Sequence, residues 1–344
     1  MFELTIDKNI FGYTKNGEEV DCYKLADDGI TVEVLTYGGA VRSIVVPVGD
    51  GVRDVALGFD SVADYEGHSS YIGALIGRVG NRIGNARFSL GGKSFSVDAN
   101  EGPNCLHGGF QGFDRRVWNA RELKDCLALS LNSADLECGF PGNMAVEVRY
   151  SLKDGALIIE YIAECDEDTP ISLTNHCYFN LGGHDSGNIE NHRIQIFAQA
   201  ITPVDERLIP TGELLDVTST PFDLREPKTI GSGIAALHPQ LALGSGYDHN
   251  YVLSKLPHQD LALSAILEYD GLKMTCHTTQ PGLQFYSGNH LTELKGKDGA
   301  TYSKRSGLCL ETQSWPDAIN HPEFPNSILR KNETYRHTTE YKFS

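Results

Sequence analysis

No stretch of this chain approaches the roughly 18 apolar residues that a membrane-crossing helix requires. Its eight cysteines include no CxxC pair, so neither a zinc ribbon nor a dithiol redox motif is written into it. Scattered as they are, they read as free thiols of a reducing compartment. Basic residues are also scarce: 29 Lys and Arg stand against 46 Asp and Glu, for a net charge of −17. Such an excess repels nucleic acid and anionic lipid surfaces, so neither is expected as a partner. The opening segment "MFELTIDKNI" carries Glu3, Asp7 and Lys8 where a secretion signal needs an uninterrupted apolar run. The cytoplasm is the expected location, and the "NET" sequon at Asn332 is then silent.

Chemical motifs are missing too. There is no G-x-S-x-G elbow for a hydrolase serine, and no phosphate loop ending in Lys-Ser or Lys-Thr. The twelve histidines form no HExxH and no H-x-H pair. His176, His184 and His192 recur every eight residues, a spacing that matches neither a helix face nor a usual metal site, so no metal is expected. "GSGIAA" (231–236) fits the loose dinucleotide fingerprint, which works only between a parallel strand and a long helix. Here Pro239 and further glycines interrupt any long helix, and the segment reads as a loop.

Sustained helical periodicity is likewise absent, being confined to scraps such as "SVADYEG" and "PDAIN". Period-2 alternation dominates instead. "ARFSLGGKSFSVD", "VEVRYSLKDGALIIEYIAE" and "LSAILEYDGLKMTCHTT" each place Gly-Gly or Asp-Gly between two alternating runs, the signal of a hairpin turn with positive φ. "TVEVLTYGGAVRSIVVPV" and "RIQIFAQAITPV" add further strands. The fold class is all-β, a large antiparallel β-sandwich with little helix. No linker, charge block or fixed-period repeat marks a boundary, so residues 1–344 read as a single domain.

Polar side chains gather in a few segments expected at turns or strand ends. "GNRIG" supplies Asn81 and Arg82, and "NCLHGG" supplies His107 with two glycines behind its ring. "TNHCYFNLGG" holds His176 and Tyr178; "YDHNYVL" holds Asp248; "TTQPGLQFYSGN" holds Gln280; "GLCLETQSWPDAIN" ends an apolar strand on Glu311. Each has a bland reading alone: an ion pair, a turn cap, a solvated strand end, a structural histidine.

Taken together, these segments resemble the aldose 1-epimerase (galactose mutarotase) family, from about Tyr13 to Phe343. The matching stretches, in order, are "GRVGNRIGNARFSL", "NCLHGGFQGFDRRVW", "TNHCYFNLGG", "PTGELLDVTSTPFDLREPKTIG", "YDHNYVL", "QPGLQFYSGN" and "LETQSWPDAINHPEFPN". The resemblance implies a mutarotase-like supersandwich with an open cleft for a hexose, acting without cofactor or metal, as a monomer or weak dimer. It implies that His176 is the general acid and Glu311 the general base. It implies that Asn81, Arg82, His107, Tyr178, Asp248 and Gln280 hold the sugar. The chain departs from the family at Cys177, where serine is commoner, at Gly80, where alanine is, and in "LRKNETY", which lacks a Pro-Gly.

These residue types suit anomer interconversion. A base takes the proton of the C1 hydroxyl while an acid protonates the ring oxygen, the ring opens, and closure on the other carbonyl face reverses both transfers. Reference values of about 4.3 for glutamate and 6.5 for histidine lead one to expect an ionised Glu311 beside a protonated His176. Asp248 and Gln280 can fix hydroxyls, and Phe285, Tyr286 or Trp315 can stack on the sugar's C–H face. Two other readings share the fold. A sugar sensor would keep the binding residues alone. A hexose-phosphate epimerase would show extra cations near the cleft, for which the matched segments offer mainly Arg82, with Arg115 and Arg116 as further candidates.

Overall fold

Three antiparallel sheets share one apolar core in the computed structural model, which describes residues 4–27, 29–253 and 261–344. The N-terminal part of the chain builds a five-stranded meander, Thr5–Tyr13 through Gly51–Asp54, with each strand paired to the next. A nine-stranded sheet comes next, running from Asn119–Glu122 at one edge to Lys228–Thr229 at the other. Its centre is the long strands Met144–Lys153, Ala156–Cys165 and Thr334–Phe343. A six-stranded sheet stacks on it and carries, in spatial order, Tyr178–Phe179, Leu308–Gln313, Gly282–Tyr286, Asp248–Leu253, Ala198–Ile201 and Leu215–Asp216.

The three hairpins expected from Gly-Gly and Asp-Gly are present. Both turn residues have positive φ in each: Gly91 and Gly92 at 58° and 77°, Asp154 and Gly155 at 50° and 75°, Asp270 and Gly271 at 46° and 77°. Mirror-image turns of this kind match the right-handed strand twist. Helix among the described residues is confined to short pieces. One falls on "SVADYEG", where Ser61 accepts the Asp64 N–H and caps Val62–Gly67. The segment read as a loop at 231–236 instead begins inside a five-residue helix, Ile230–Ile234. The strand before it, Lys228–Thr229, is antiparallel, so no dinucleotide crossover forms.

Alternation decides what each face of the six-stranded sheet meets. Tyr251, Leu283, Phe285, Leu308 and Leu310 join the main core with Tyr161, Met274 and Tyr341 of the nine-stranded sheet. The two sheets are also tied by the Tyr341 hydroxyl, which donates to the Leu310 carbonyl at 2.7 Å, and by the Thr312–Thr339 hydroxyl pair. The residues between these, Asp248, Gln284, Tyr286, Cys309 and Glu311, must therefore point the other way. That second face is the floor of a cleft.

Loops from outside the sheet close over this floor, and one is anchored by a buried cation. Arg78 is 2% exposed, and none of its hydrogen bonds goes to a carboxylate. Its guanidinium donates to the carbonyls of Ser133, Ala134, Pro141 and Gly142 at 2.8–3.1 Å and to the Ser133 hydroxyl at 2.9 Å. The 133–142 loop of the large sheet is thereby fastened to the segment that leads into Asn81 and Arg82. Replacing Arg78 with Met would take this donor from the buried carbonyls of Ser133, Pro141 and Gly142, each loss worth about 1–3 kcal/mol, while Ala134 O keeps the Glu137 N–H. Arg78→Met is expected to lower unfolding free energy by about 3 kcal/mol or more in urea titration; a loss under about 1 kcal/mol would show the anchor to be dispensable.

Candidate active site

The His176 backbone is held from both sides by a loop of the first half of the chain. Its N–H donates to Ala74 O at 2.8 Å, and its carbonyl accepts the Gly73 N–H at 3.0 Å. Asn175 adds a 2.8 Å bond to Gly73 O and accepts the Cys177 N–H at 2.9 Å, so the turn has no freedom to rotate the ring away. Tyr178 lies on the edge strand of the floor; its hydroxyl donates to Ser70 O at 3.0 Å, and its ring lies 5.0 Å from that of His176.

A second turn presents Asn81, Arg82 and His107. His107 N–H donates to Asn81 O at 2.9 Å, and Asn81 N–H donates to His107 Nδ1 at 3.1 Å. Asn81 and His107 both take positive φ, at 59° and 52°. Behind them Gly108 has no room for a side chain: a Cβ there would lie 1.9 Å from Gly77 O. Arg82 is locked by a two-pronged bond to Glu101, at 2.6 Å from Nε and 2.5 Å from Nη2.

The floor supplies the carboxylates. Asn250, Gln284 and Glu311 are register partners across three strands, and so are Asp248, Tyr286 and Cys309 one step along. Gln284 Nε2 donates to Asp248 Oδ1 at 2.7 Å. His176 Nε2 and Glu311 Oε1 face each other at 3.7 Å, too far for a hydrogen bond and close enough to share one reacting group. The resulting cleft, about 270 Å³, is lined by Tyr71, Asn81, Arg82, Glu101, His107, His176, Tyr178, Asp248, Tyr286, His290 and Glu311 among others. Such a volume lies near the lower end of the ~300–1,000 Å³ usual for ligand pockets, enough for one small molecule.

Seven of the eight residues expected at the site thus meet in one cleft. Gln280 does not. It is 1% exposed, and its amide donates to the Tyr335 hydroxyl at 2.8 Å, away from the cleft wall. Gln284, four residues on and in register with Glu311, stands beside Asp248 instead. Of the three aromatic candidates only Tyr286 borders the cleft. Phe285 stacks on Tyr247 in the core, and Trp315 packs edge-on against Phe324. Arg115 and Arg116 are likewise spoken for: Arg115 reaches Asp114 and the carbonyls of Glu66 and His68, and Arg116 pairs with Glu137. Glu101, Tyr71 and His290 were not singled out in sequence, where nothing distinguishes them from ordinary loop residues.

Burial overturns the charges expected from reference values. His176 and Glu311 are only 5% and 2% exposed. Desolvation pulls the His176 pKa down to about 4. It pushes Glu311 well above the usual carboxylate range, with the nearby Asp248 charge adding to the rise and Arg82 opposing it. Asp248 is raised by burial as well. Burial by itself therefore favours a neutral histidine beside a protonated glutamate, not the ionised pair. Both arrangements hold the same single proton and differ only in where it sits.

His107, His176 and Glu311 also bring three potential ligand atoms within 4.8 Å of one another. This donor set does not suit a metal ion. His107 Nδ1 already accepts the Asn81 N–H, and burial first, then the neighbouring His176 and Arg82, keep the ring neutral. The ring proton is left on Nε2, which can donate to a sugar oxygen but has no lone pair for a cation.

The aldose 1-epimerase family profile matches residues 21–342. The chain belongs to the aldose 1-epimerase family. It is 42% identical to the galactose mutarotase of Mus musculus and 42% identical to that of Homo sapiens, each match covering 99% of both chains. It is 39% identical to the aldose 1-epimerase of Escherichia coli K12 over 92% of both chains. Among solved structures it resembles galactose 1-epimerase from Lactobacillus acidophilus, at 26% identity and a TM-score of 0.86 over 99% of both chains. An aldose epimerase homologue from C. elegans, 31% identical, superposes with a TM-score of 0.84 over 92% of this chain and 96% of that one.

Asp248 is one of the two causes that raise Glu311, so removing its charge should lower the Glu311 pKa. In Asp248→Asn the infrared band of the protonated Glu311 carboxyl, identified by its loss in Glu311→Gln, should titrate away at lower pH than in the parent chain. An unchanged midpoint would mean that the two carboxyls do not sense each other.

Proposed function

We propose that this chain is an aldose 1-epimerase, an isomerase that interconverts the α- and β-anomers of a hexose such as galactose or glucose. The observation that carries the reading is the His176–Glu311 pair, two proton carriers 3.7 Å apart, buried on the floor of a cleft of single-sugar size. The family membership given above supports it. We take residues 1–344 to act as one unit, since a single apolar core runs through all three sheets.

In this reading the sugar enters with its C1 hydroxyl toward Glu311 and its ring oxygen toward His176. Sugar hydroxyls donating to Glu311, and the Arg82 charge nearby, favour the ionised arrangement of the pair over the neutral one. Glu311 then takes the O1 proton while His176 delivers its proton to O5, and the C1–O5 bond breaks to the open aldehyde. The pair is now neutral, which is the state that burial favours. Rotation about C1–C2 turns the other carbonyl face toward O5, and closure returns both protons. Each transfer is of a kind that typically contributes about 10²–10⁴-fold. His107 Nε2–H and Arg82 stabilise negative charge as it develops on oxygen, and Asp248, steadied by Gln284, orients hydroxyls.

A phosphorylated hexose fits this cleft less well. Arg82 is its one guanidinium among the described residues, Glu101 occupies two of that group's donors, and Asp248 and Glu311 would repel a phosphate. A sensor without turnover would need neither proton carrier, and both are present.

Polarimetry of freshly dissolved α-D-galactose and α-D-glucose tests the proposal. The chain should hasten the decay of rotation, and Glu311→Gln and His176→Asn should each lower kcat by about 10²-fold or more. Combining them should cost less than the product of the two, because they act as a unit. Near-normal turnover in Glu311→Gln would remove the glutamate from the chemistry.

A further inference from the structure

His176 has two ring nitrogens, and the mechanism above uses only one. The other, Nδ1, lies 3.4 Å from the Sγ of Cys309, the one hydrogen-bond partner of this ring among the described residues. Tyr71, Tyr178, Tyr286 and His107 wall the ring with aromatic faces and edges at 5.0–6.2 Å, and none of them offers a polar atom to Nδ1.

The sheet sets the place of Cys309. It is the register partner of Tyr178 on one side and of Tyr286 on the other. It also sits two residues before Glu311 on the same strand, so both side chains emerge on the cleft face, about 7 Å apart along the strand. One strand thus carries the proposed base and, one step back, the group that touches the acid. The thiol is fully buried.

We propose that Cys309 is a positioning residue for His176: its thiol engages Nδ1 and so keeps Nε2 as the nitrogen that meets Glu311 and the sugar. This rests on the epimerase reading for its kinetic consequence, though not for its geometry. Burial, with the Glu311 charge adding to it, holds the thiol proton in place well beyond the usual range, so the group at 309 is S–H. Once Nε2 has given its proton to O5, the neutral ring keeps its remaining proton on Nδ1 and donates it to the sulfur. The imidazolium keeps the same Nδ1–H···S bond, so Nε2 alone gains and loses a proton through the cycle. A carboxylate at 309 would favour the charged ring throughout; a thiol serves both states of the cycle.

Two variants and one spectrum test this. Cys309→Ala leaves Nδ1 without a partner and is expected to lower kcat about tenfold with KM nearly unchanged, the scale of one ordinary hydrogen bond. Cys309→Ser keeps a donor and acceptor at that place and should recover most of the loss. Equal losses in both variants would make Cys309 a packing residue and overturn the proposal, as would an alanine variant with unaltered kcat. In ¹⁵N-histidine NMR of the parent chain without sugar, His176 should carry its proton on Nδ1. A proton on Nε2 would overturn the proposal whether or not the alanine variant folds. Because that spectrum needs no turnover, it separates failure of this inference from failure of the epimerase reading.

Discussion

Everything in this molecule that bears on chemistry depends on keeping one carboxyl and one imidazole out of water at 3.7 Å separation. Desolvation disfavours the charged form of each, so the glutamate rises and the histidine falls, and burial favours the neutral pair, with its one transferable proton on the glutamate. That stock is what a reaction with one proton taken and one given requires. Were the cleft wet, each group would return to its ordinary pKa and the coupling would be lost. A pair held neutral by burial is also primed for the open-chain stage, in which both carriers have exchanged their protons.

The rest of the fold can be read as the means of holding that pair. The nine-stranded sheet gives the six-stranded sheet a rigid back, through a core that fixes Leu310 and Thr312 and so aims Glu311 the other way. His176 comes from the opposite direction, on a turn bonded to the 73–74 segment. The Asn81–His107 exchange of hydrogen bonds and the Arg78 anchor close the third side. Loop residues at strained φ and glycines with no room for a Cβ gather at this rim, where backbone must pass close behind the side chains it presents.

Much of this was legible in the sequence because its physics is local. Hairpins with Gly-Gly or Asp-Gly turns announce themselves through φ and period-2 alternation. So does the all-β class, since no run sustains a helical period. Seven of the eight residues expected at the site line one cleft. The eighth, Gln280, does not: both Gln280 and Gln284 stand in one short segment, and only strand register, set by the pairing of Gln284 with Asn250 and Glu311, separates them. The protonation of the pair was also misread, because burial arises from sheets that meet over more than 100 residues of sequence. The same holds for Cys309, whose contact with His176 spans 133 positions.

The central claim is that a cleft with one shared proton opens and recloses a sugar ring through its oxygen atoms alone. Proton NMR of equilibrated galactose in D₂O addresses it directly. On adding the protein, magnetisation should exchange between the α and β H1 resonances faster than in buffer, while the C1–H and C2–H signals keep full intensity. Deuterium entering C1 or C2, or an α–β exchange no faster than in buffer, would contradict the account.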